Sequence, residues 1–277
     1  MTDTYTYIET DTPAEHIRRI TLNRPDKRNA MNNELRGEIF DALYAADADE
    51  TVRVTVIRAA GSAFCSGYDL GADLSEDQPW RTAGGEGQWA RHVVDGWFQI
   101  WDLRKPVIAQ VHGFCLAGGS ELAAACDLLY VADTAQIGYP AIRSMSSPDM
   151  QYQPWMMGMR AAMEFMLTGD ALSGEDAVAC GFANRCYPES ELEAEVLRIA
   201  SRVANIPSDL QHLNKRTVHR AMDIMGIRAG IRAGTDVHAL GWYQPSSRAF
   251  MQSLREGPRV KEALTSRDSK FKDYGET

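Results

Sequence analysis

The chain has 277 residues, 44% of them apolar and 24% charged, with a net charge of −9 and a pI near 5.2. That length accommodates one large domain, or a core with a smaller appendage. The acidic balance excludes a general phosphate-backbone binder, so no nucleic-acid partner is expected, and no stretch nears the ~20 apolar residues of a membrane span.

The start, MTDTYTYIETDT, carries neither a basic region nor an apolar run, so no secretory signal is expected. Five cysteines (65, 115, 126, 180 and 186) form no CxxC pair and are odd in number, which suggests neither a zinc site nor a disulfide framework. The expected setting is soluble, reducing and cytoplasmic, with no metal.

Tyr5 to Glu9 and Ile17 to Leu22 read as two strands separated by polar TDTPAEH. Pro25-Asp26 marks a loop, with Lys27 and Arg28 in it. From Asn32 or Asn33 a helix places Leu35, Ile39, Leu43 and Ala46 on one face. Val52 to Ile57 is the next strand, followed by AAGSAFCSGYDL. There the turn Cys65-Ser66-Gly67 presents backbone N–H groups, and Asp69 suits a helix N-cap. Residues 71 to 88 are polar and glycine-containing, a loop or lid. Trp89, Val93, Trp97 and Trp101 then recur at four-residue spacing, the stripe of a buried helix.

The central stretch is KPVIAQVHGFCLAGGSELAAACDLLYV, residues 105 to 131. Val107 to Val111 reads as a buried strand, Gly113 breaks it, Gly118-Gly119 opens a helix, and Leu128 to Val131 returns to strand. The first N–H groups of a helix lack intrahelical partners, and the macrodipole is positive there. Glycine lets a ligand approach those donors, and preorganised N–H groups stabilise an oxyanion. Glu121 stands in that first turn, although an acid there also suits capping alone. Two strand–turn–helix units invite a hole with one N–H from each.

Seven of the twelve methionines (145, 150, 156, 157, 159, 163 and 166) fall after Pro140, in a run that packs on the core or forms an adaptable pocket. Ser173 caps a helix, with Asp176 completing a capping box and Gly181 as its stop. Beyond Glu189 the chain reads as helices: 191–205, 209–225, 234–254 and 259–264. The composition shift between Pro188 and Pro207 divides an α/β core, residues 1–200, from a helical part, residues 201–277.

The ordered motifs NRPDKRNAMN, AFCSGYDL, KPVIAQVHGFCLAGGSELAAACDLLYVAD, AQIGYPAI and LTGDALSGEDAVACGFANRCYP, with the tail RAFMQSLREGPRVKEAL and Phe271, together resemble the crotonase, or enoyl-CoA hydratase/isomerase, superfamily. The resemblance runs nearly end to end. It implies an α/β spiral of ββα units with a helical C-terminal region for trimerisation and active-site closure. It further implies an acyl-CoA substrate, no tightly bound cofactor beyond the coenzyme A of that substrate, and a homotrimer or dimer of trimers. By motif position the oxyanion donors fall on the N–H groups of Ser66 and Gly118. The CoA-binding positions fall on Arg28, Ala30, Ser66, Gly67, Tyr68, Asp69 and Gly118, and the first catalytic glutamate falls on Glu121. The second glutamate of the hydratases would follow Pro140, where this sequence has Ala141, and Asp149 is the first substitute acid.

Hydration of a 2-enoyl-CoA needs a base for water and a proton for Cα. A double-bond shift needs one base that takes a proton and returns it elsewhere. The expectation is therefore a hydratase/isomerase-type enzyme working through an oxyanion-stabilised enolate. The alternatives are a CoA-thioester hydrolase or decarboxylase, or a non-catalytic acyl-CoA binder that lost its acid.

Overall fold

A computed structural model describes residues 5–256, 260–271 and 274. In chain order the strands are β1 (Ile8–Ala14), β2 (Ile17–Leu22), β3 (Val54–Ala59), β4 (Ala63–Cys65), β5 (Val107–Val111), β6 (Phe114–Leu116), β7 (Leu128–Ala132), β8 (Gln136–Gly138) and β9 (Arg185–Tyr187). The helices are α1 (Asn33–Ala48), α2 (Gln88–Asp102), α3 (Gly118–Ala125), α4 (Gln153–Met156), α5 (Met159–Thr168), α6 (Gly174–Ala179), α7 (Glu189–Ala204), α8 (Ser208–Met225), α9 (Ile227–Trp242), α10 (Pro245–Glu256) and α11 (Val260–Asp268). Short 3-10 turns lie at Pro25–Lys27 and Pro140–Arg143.

A large sheet has the order β1-β2-β3-β5-β7-β9, and a small one the order β4-β6-β8. Among the described strands only the β1–β2 pair is antiparallel; every other strand pair in both sheets runs parallel. Each successive unit, β3-β4-α2 and then β5-β6-α3, places its first strand in the large sheet and its second in the small one. This is the expected spiral of ββα units. Strand β5 is buried at every position, as a parallel strand covered on both faces must be. Helix α7 packs across β2, β3, β5, β7 and β9.

Local chemistry explains most boundaries. Asn32 caps α1, its side chain accepting from the Leu35 N–H at 2.9 Å. The stripe of Leu35, Ile39, Leu43 and Ala46 is buried, as are Val93, Trp97 and Trp101 on α2. Ser173 and Asp176 form the reciprocal capping box of α6.

Three expectations change. The first strand starts at Ile8 and runs to Ala14 through residues with mostly exposed side chains, because pairing with β2 serves its backbone whatever the side chains are. No helix follows Asp69: its carboxylate accepts from the Gly71 N–H at 3.0 Å, closing a turn instead. The single helix expected over 234–254 is two helices, α9 and α10, broken before Pro245, which lacks an N–H to continue the ladder. The helix expected from Arg259 begins, among the described residues, at Val260, because Arg259 lies outside them. Among the described residues no helix is long and apolar enough to cross a membrane, and all five cysteines are free thiols.

Candidate active site

Strands β4 and β6 lie side by side and parallel, so the turns that follow them, Ser66-Gly67-Tyr68 and Ala117-Gly118, leave the sheet at one edge. They meet closely. A Cβ on Gly67 would stand 3.5 Å from the Gly118 nitrogen, and one on Gly119 would stand 2.4 Å from the Cys65 carbonyl oxygen. Only glycine permits that approach. Ala117, immediately before the helix, holds φ 47° and ψ −121°, a strained position for a residue with a Cβ.

The free donors are not both where the sequence placed them. The Ser66 N–H already donates to the Arg28 carbonyl at 3.0 Å, so it is not available to a ligand. Met31 N–H donates to Gly67 O at 2.8 Å and Asp69 N–H to Met31 O at 2.9 Å. That parallel bridge skips the N–H of Tyr68, which has no acceptor among the described residues. Gly118, the first residue of α3, likewise keeps a bare N–H. Open donors among the described residues at the meeting of the two turns therefore include those of Tyr68 and Gly118.

Glu121 is fully buried one turn into α3. It does not cap that helix, since no side chain serves the N-cap. Its Oε2 accepts from Tyr68 Oη at 2.9 Å and from Trp97 Nε1 at 3.4 Å. Its Oε1 accepts from the Met150 N–H at 2.9 Å and lies 3.1 Å from Tyr139 Oη. The same Tyr139 oxygen lies 3.1 Å from Asp149 Oδ2. Burial, and then the charge of Asp149, push the Glu121 carboxyl up to about 8.

One phenol hydrogen cannot serve two carboxylates. The pair is satisfied when one carboxyl carries a further proton, donating to the Tyr139 oxygen while Tyr139 donates to the other. Asp149 faces helix α9, its Oδ1 buried 3.2 Å from His238 Nε2 without a hydrogen bond among the described residues. His238 Nδ1 lies 2.7 Å from the Ser147 carbonyl, which only accepts, so Nδ1 carries a hydrogen. Its Nε2 then accepts from Trp242 Nε1 at 2.7 Å. The aromatic spacing of α2 announced Trp97, but no pattern in the sequence announced that Tyr139 and His238 meet at Asp149.

The sequence profile of the family described as enoyl-CoA hydratase/isomerase matches residues 12–251. The chain belongs to the enoyl-CoA hydratase/isomerase family. A solved enoyl-CoA hydratase/isomerase from Xanthobacter autotrophicus Py2 is 34% identical, with a TM-score of 0.87 over 97% of this chain and 99% of its own. An enoyl-CoA hydratase from Mycobacterium smegmatis superposes with a TM-score of 0.88 at 26% identity, covering 99% and 97%. The mitochondrial enoyl-CoA hydratase of Pongo abelii is 30% identical over 208 residues, 74% of this chain and 69% of its own. The chain is thus an enzyme of this family with the crotonase fold.

The positions that the family resemblance assigns to CoA come together. Besides the contacts above, Arg24 pairs with Asp69 at 3.1 Å and also donates to the Ala30 carbonyl. This ties the 24–31 loop to the 66–69 turn. Arg28 adopts a left-handed conformation (φ 49°), its guanidinium 5.2 Å from the centre of the Phe114 ring. Its side chain and that of Lys27 are exposed at the rim. Asn29, which sequence reasoning passed over, is the buried pin of this loop: its amide donates to Ala60 O and Ala63 O at 2.8 Å each and accepts from Arg24 N. Ala141 sits half-buried in the 3-10 turn after Pro140 and supplies no acid.

Proposed function

We propose that this enzyme acts on an enoyl-CoA thioester through an enolate, adding water across a 2-enoyl group or shifting a double bond. The thioester oxygen would sit between the N–H groups of Tyr68 and Gly118, where charge developing on it meets preorganised donors. The single observation carrying this reading is that Glu121, a buried carboxyl, stands in the same first turn as one of those donors and shares a hydroxyl with a second carboxyl.

Glu121 is assigned as the base. In hydration it takes a proton from the water that attacks Cβ; in isomerisation it takes one from carbon next to the double bond. Asp149, through Tyr139, takes the place of the missing second glutamate. A proton arriving on Glu121 can be balanced by one passed through the Tyr139 hydroxyl, which donates to one carboxyl while accepting from the other. The pair can then present an acid or a base to the substrate without either charge leaving the site.

The 24–31 loop and the 66–69 turn are assigned to the CoA moiety, with Lys27 and Arg28 toward its phosphates. Residues 1–200 are assigned to the catalytic core, and 201–277 to oligomerisation and closure, with His238 of α9 lying beside Asp149. A trimer or dimer of trimers would cover the exposed Leu210, Leu213, Ile224 and Met225 of α8 and Val237 and Leu240 of α9. Light scattering should return a multiple of three times the 30.8 kDa chain mass.

Incubation with crotonyl-CoA and with a 3-enoyl-CoA, read by mass spectrometry and absorbance, tests the activity. A water adduct or a conjugated isomer is expected. Saturable binding of both, with no product from either, would leave a CoA-thioester binder and refute the catalytic reading.

A further inference from the structure

Arg36 is the feature that the proposed chemistry does not use. It lies on α1 with 1% of its surface exposed, yet among the described residues no carboxylate pairs with it. Nη1 donates to the neutral Asn33 Oδ1 at 2.9 Å, and Nε is buried without an acceptor. Three aromatic rings box the guanidinium: Trp80 at 5.0 Å, Trp89 at 5.1 Å and Tyr68 at 5.7 Å from its centre. Ring faces attract the cation but accept hydrogen bonds poorly, so the planar fork keeps donors to spare.

The surroundings offer it no anion. Asn33 spends its own amide on the lid, donating to Leu74 O at 3.2 Å and Glu76 O at 2.6 Å. His92, stacked on Trp80 at 4.5 Å, is pushed down to about 4 by burial and by Arg36, so it stays neutral. The charges of Asp149 and Glu121 reach Arg36, but neither comes within ion-pair distance. A buried guanidinium that serves structure alone is ordinarily saturated by carbonyls or a carboxylate.

Its location is informative. The Tyr68 ring bridges the two regions: on one side it lies against Gly118, where a Cβ would stand 2.6 Å from the ring, and on the other it faces Arg36. Trp89 meets Tyr68 edge-on at 5.0 Å. One residue, Tyr68, thus carries an open N–H at the site and a ring face against Arg36. Two of the enclosing rings, Trp80 and Trp89, lie in or next to the 71–87 loop.

Resting on the CoA-thioester reading above, we propose that the acyl group bears a carboxylate distal to the thioester, received by the Arg36 fork inside the Tyr68–Trp80–Trp89 box. The substrate class is then an enoyl-CoA that is the monothioester of a dicarboxylic acid. Such a ligand supplies the missing counter-charge and two acceptors in the bidentate geometry that guanidinium favours.

The test compares 2-enoyl-CoA substrates ending in carboxylate with methyl-ended ones of matched length, across several lengths, on wild type, Arg36→Lys and Arg36→Met. Wild type should favour the carboxylate series by about tenfold or more in kcat/KM at its best length, one well-formed charged contact being of that order. Arg36→Met should lose that preference while keeping turnover of methyl-ended substrates, and Arg36→Lys should keep part of it. Equal kcat/KM for both series in wild type overturns the inference and leaves the hydratase/isomerase reading standing. So does an equal loss on both series in Arg36→Met. Should neither series be turned over, the functional reading has failed, and calorimetry with saturated carboxyacyl-CoA and acyl-CoA on wild type decides the inference alone. Tighter binding of the carboxyacyl form supports it, and equal binding overturns it.

Discussion

Glu121 and Asp149 stand on either side of one hydroxyl, that of Tyr139, at 3.1 Å from each. Two buried carboxyls joined this way cannot both be ionised at low cost, so the pair keeps one proton through the neutral range. With Glu121 pushed up to about 8 by burial and by Asp149, the last proton leaves near that pH. If turnover needs one acid and one base from the pair, kcat/KM should fall as pH rises through about 8. Asp149→Asn removes the like charge, so the Glu121 limb should move to lower pH and the alkaline fall should disappear. The maximal rate should drop by roughly 10–10³-fold, within the span of acid–base contributions. A wild-type rate that instead climbs through pH 8 would show Glu121 acting as a lone base.

Glu121→Gln should cut turnover about 10²–10⁴-fold while CoA-thioester binding, followed by calorimetry, stays near wild type. It should also change the pH dependence of stability. The folded-state value near 8 lies above the unfolded 4.5, so the native state holds a proton that the unfolded chain has lost. Wild-type stability therefore declines from this group between about pH 4.5 and 8 and is flat above. Urea titrations should show that slope reduced in the variant, and a slope unchanged by the substitution would argue that the carboxyl ionises normally.

Gly119→Ala tests the meeting of the two turns. The added Cβ would lie 2.4 Å from the Cys65 carbonyl oxygen and 2.8 Å from its Cβ, and a backbone oxygen in a paired strand cannot step aside. A loss of about 1–3 kcal/mol is expected from overpacking. Turnover should fall further than stability alone explains, because the strand that must yield leads directly to the Tyr68 donor. Wild-type thermal stability and rate in this variant would mean that the turns are looser than their geometry implies.

The sequence announced the fold because its signals were local. The Asn32 cap, the Ser173–Asp176 box, the apolar run at 107–111 and the Gly118-Gly119 turn each act within a few residues. Glu121 was legible for the same reason. The hydrogen-bond accounting was not. Ser66 and Tyr68 flank the same glycine, and only the pairing of that turn with Met31 and Arg28, more than thirty residues away, decides which N–H is left open. Asp149 could be named as a candidate, but its link to Glu121 through Tyr139 and its place beside His238 depend on three segments meeting. Nothing in the sequence marked Arg36, because the rings that enclose it come from positions 68, 80 and 89, more than thirty residues away.

Lys215→Met tests how the C-terminal helices are fastened beneath the site. The Lys215 ammonium, buried on α8, lies 2.9 Å from Asp127 Oδ2 and donates to Ile100 O at 2.9 Å and Lys105 O at 3.1 Å. Asp127, just after α3, also accepts from the Val107 N–H at 2.8 Å and meets His219 at 2.9 Å. One ammonium thus joins α8 to the end of α2, to the loop before β5 and to the end of α3. Methionine fills similar volume but removes the ammonium from two carbonyls and leaves the carboxylate with only the Val107 N–H and His219. Breaking one side of a buried pair costs about 3–5 kcal/mol, which for a chain of this size lowers Tm by roughly 6–20 °C. Asp127→Asn in the same chain removes the stranded charge while keeping an acceptor for Val107. The double variant should therefore melt above the sum of the two single losses, a coupling expected for direct partners. Turnover measured well below the melting point should stay near wild type, because none of these groups touches Glu121 or the open donors. Calorimetric scans of the three variants decide it: a Tm within a degree of wild type for Lys215→Met would mean that α8 is held by its apolar contacts alone.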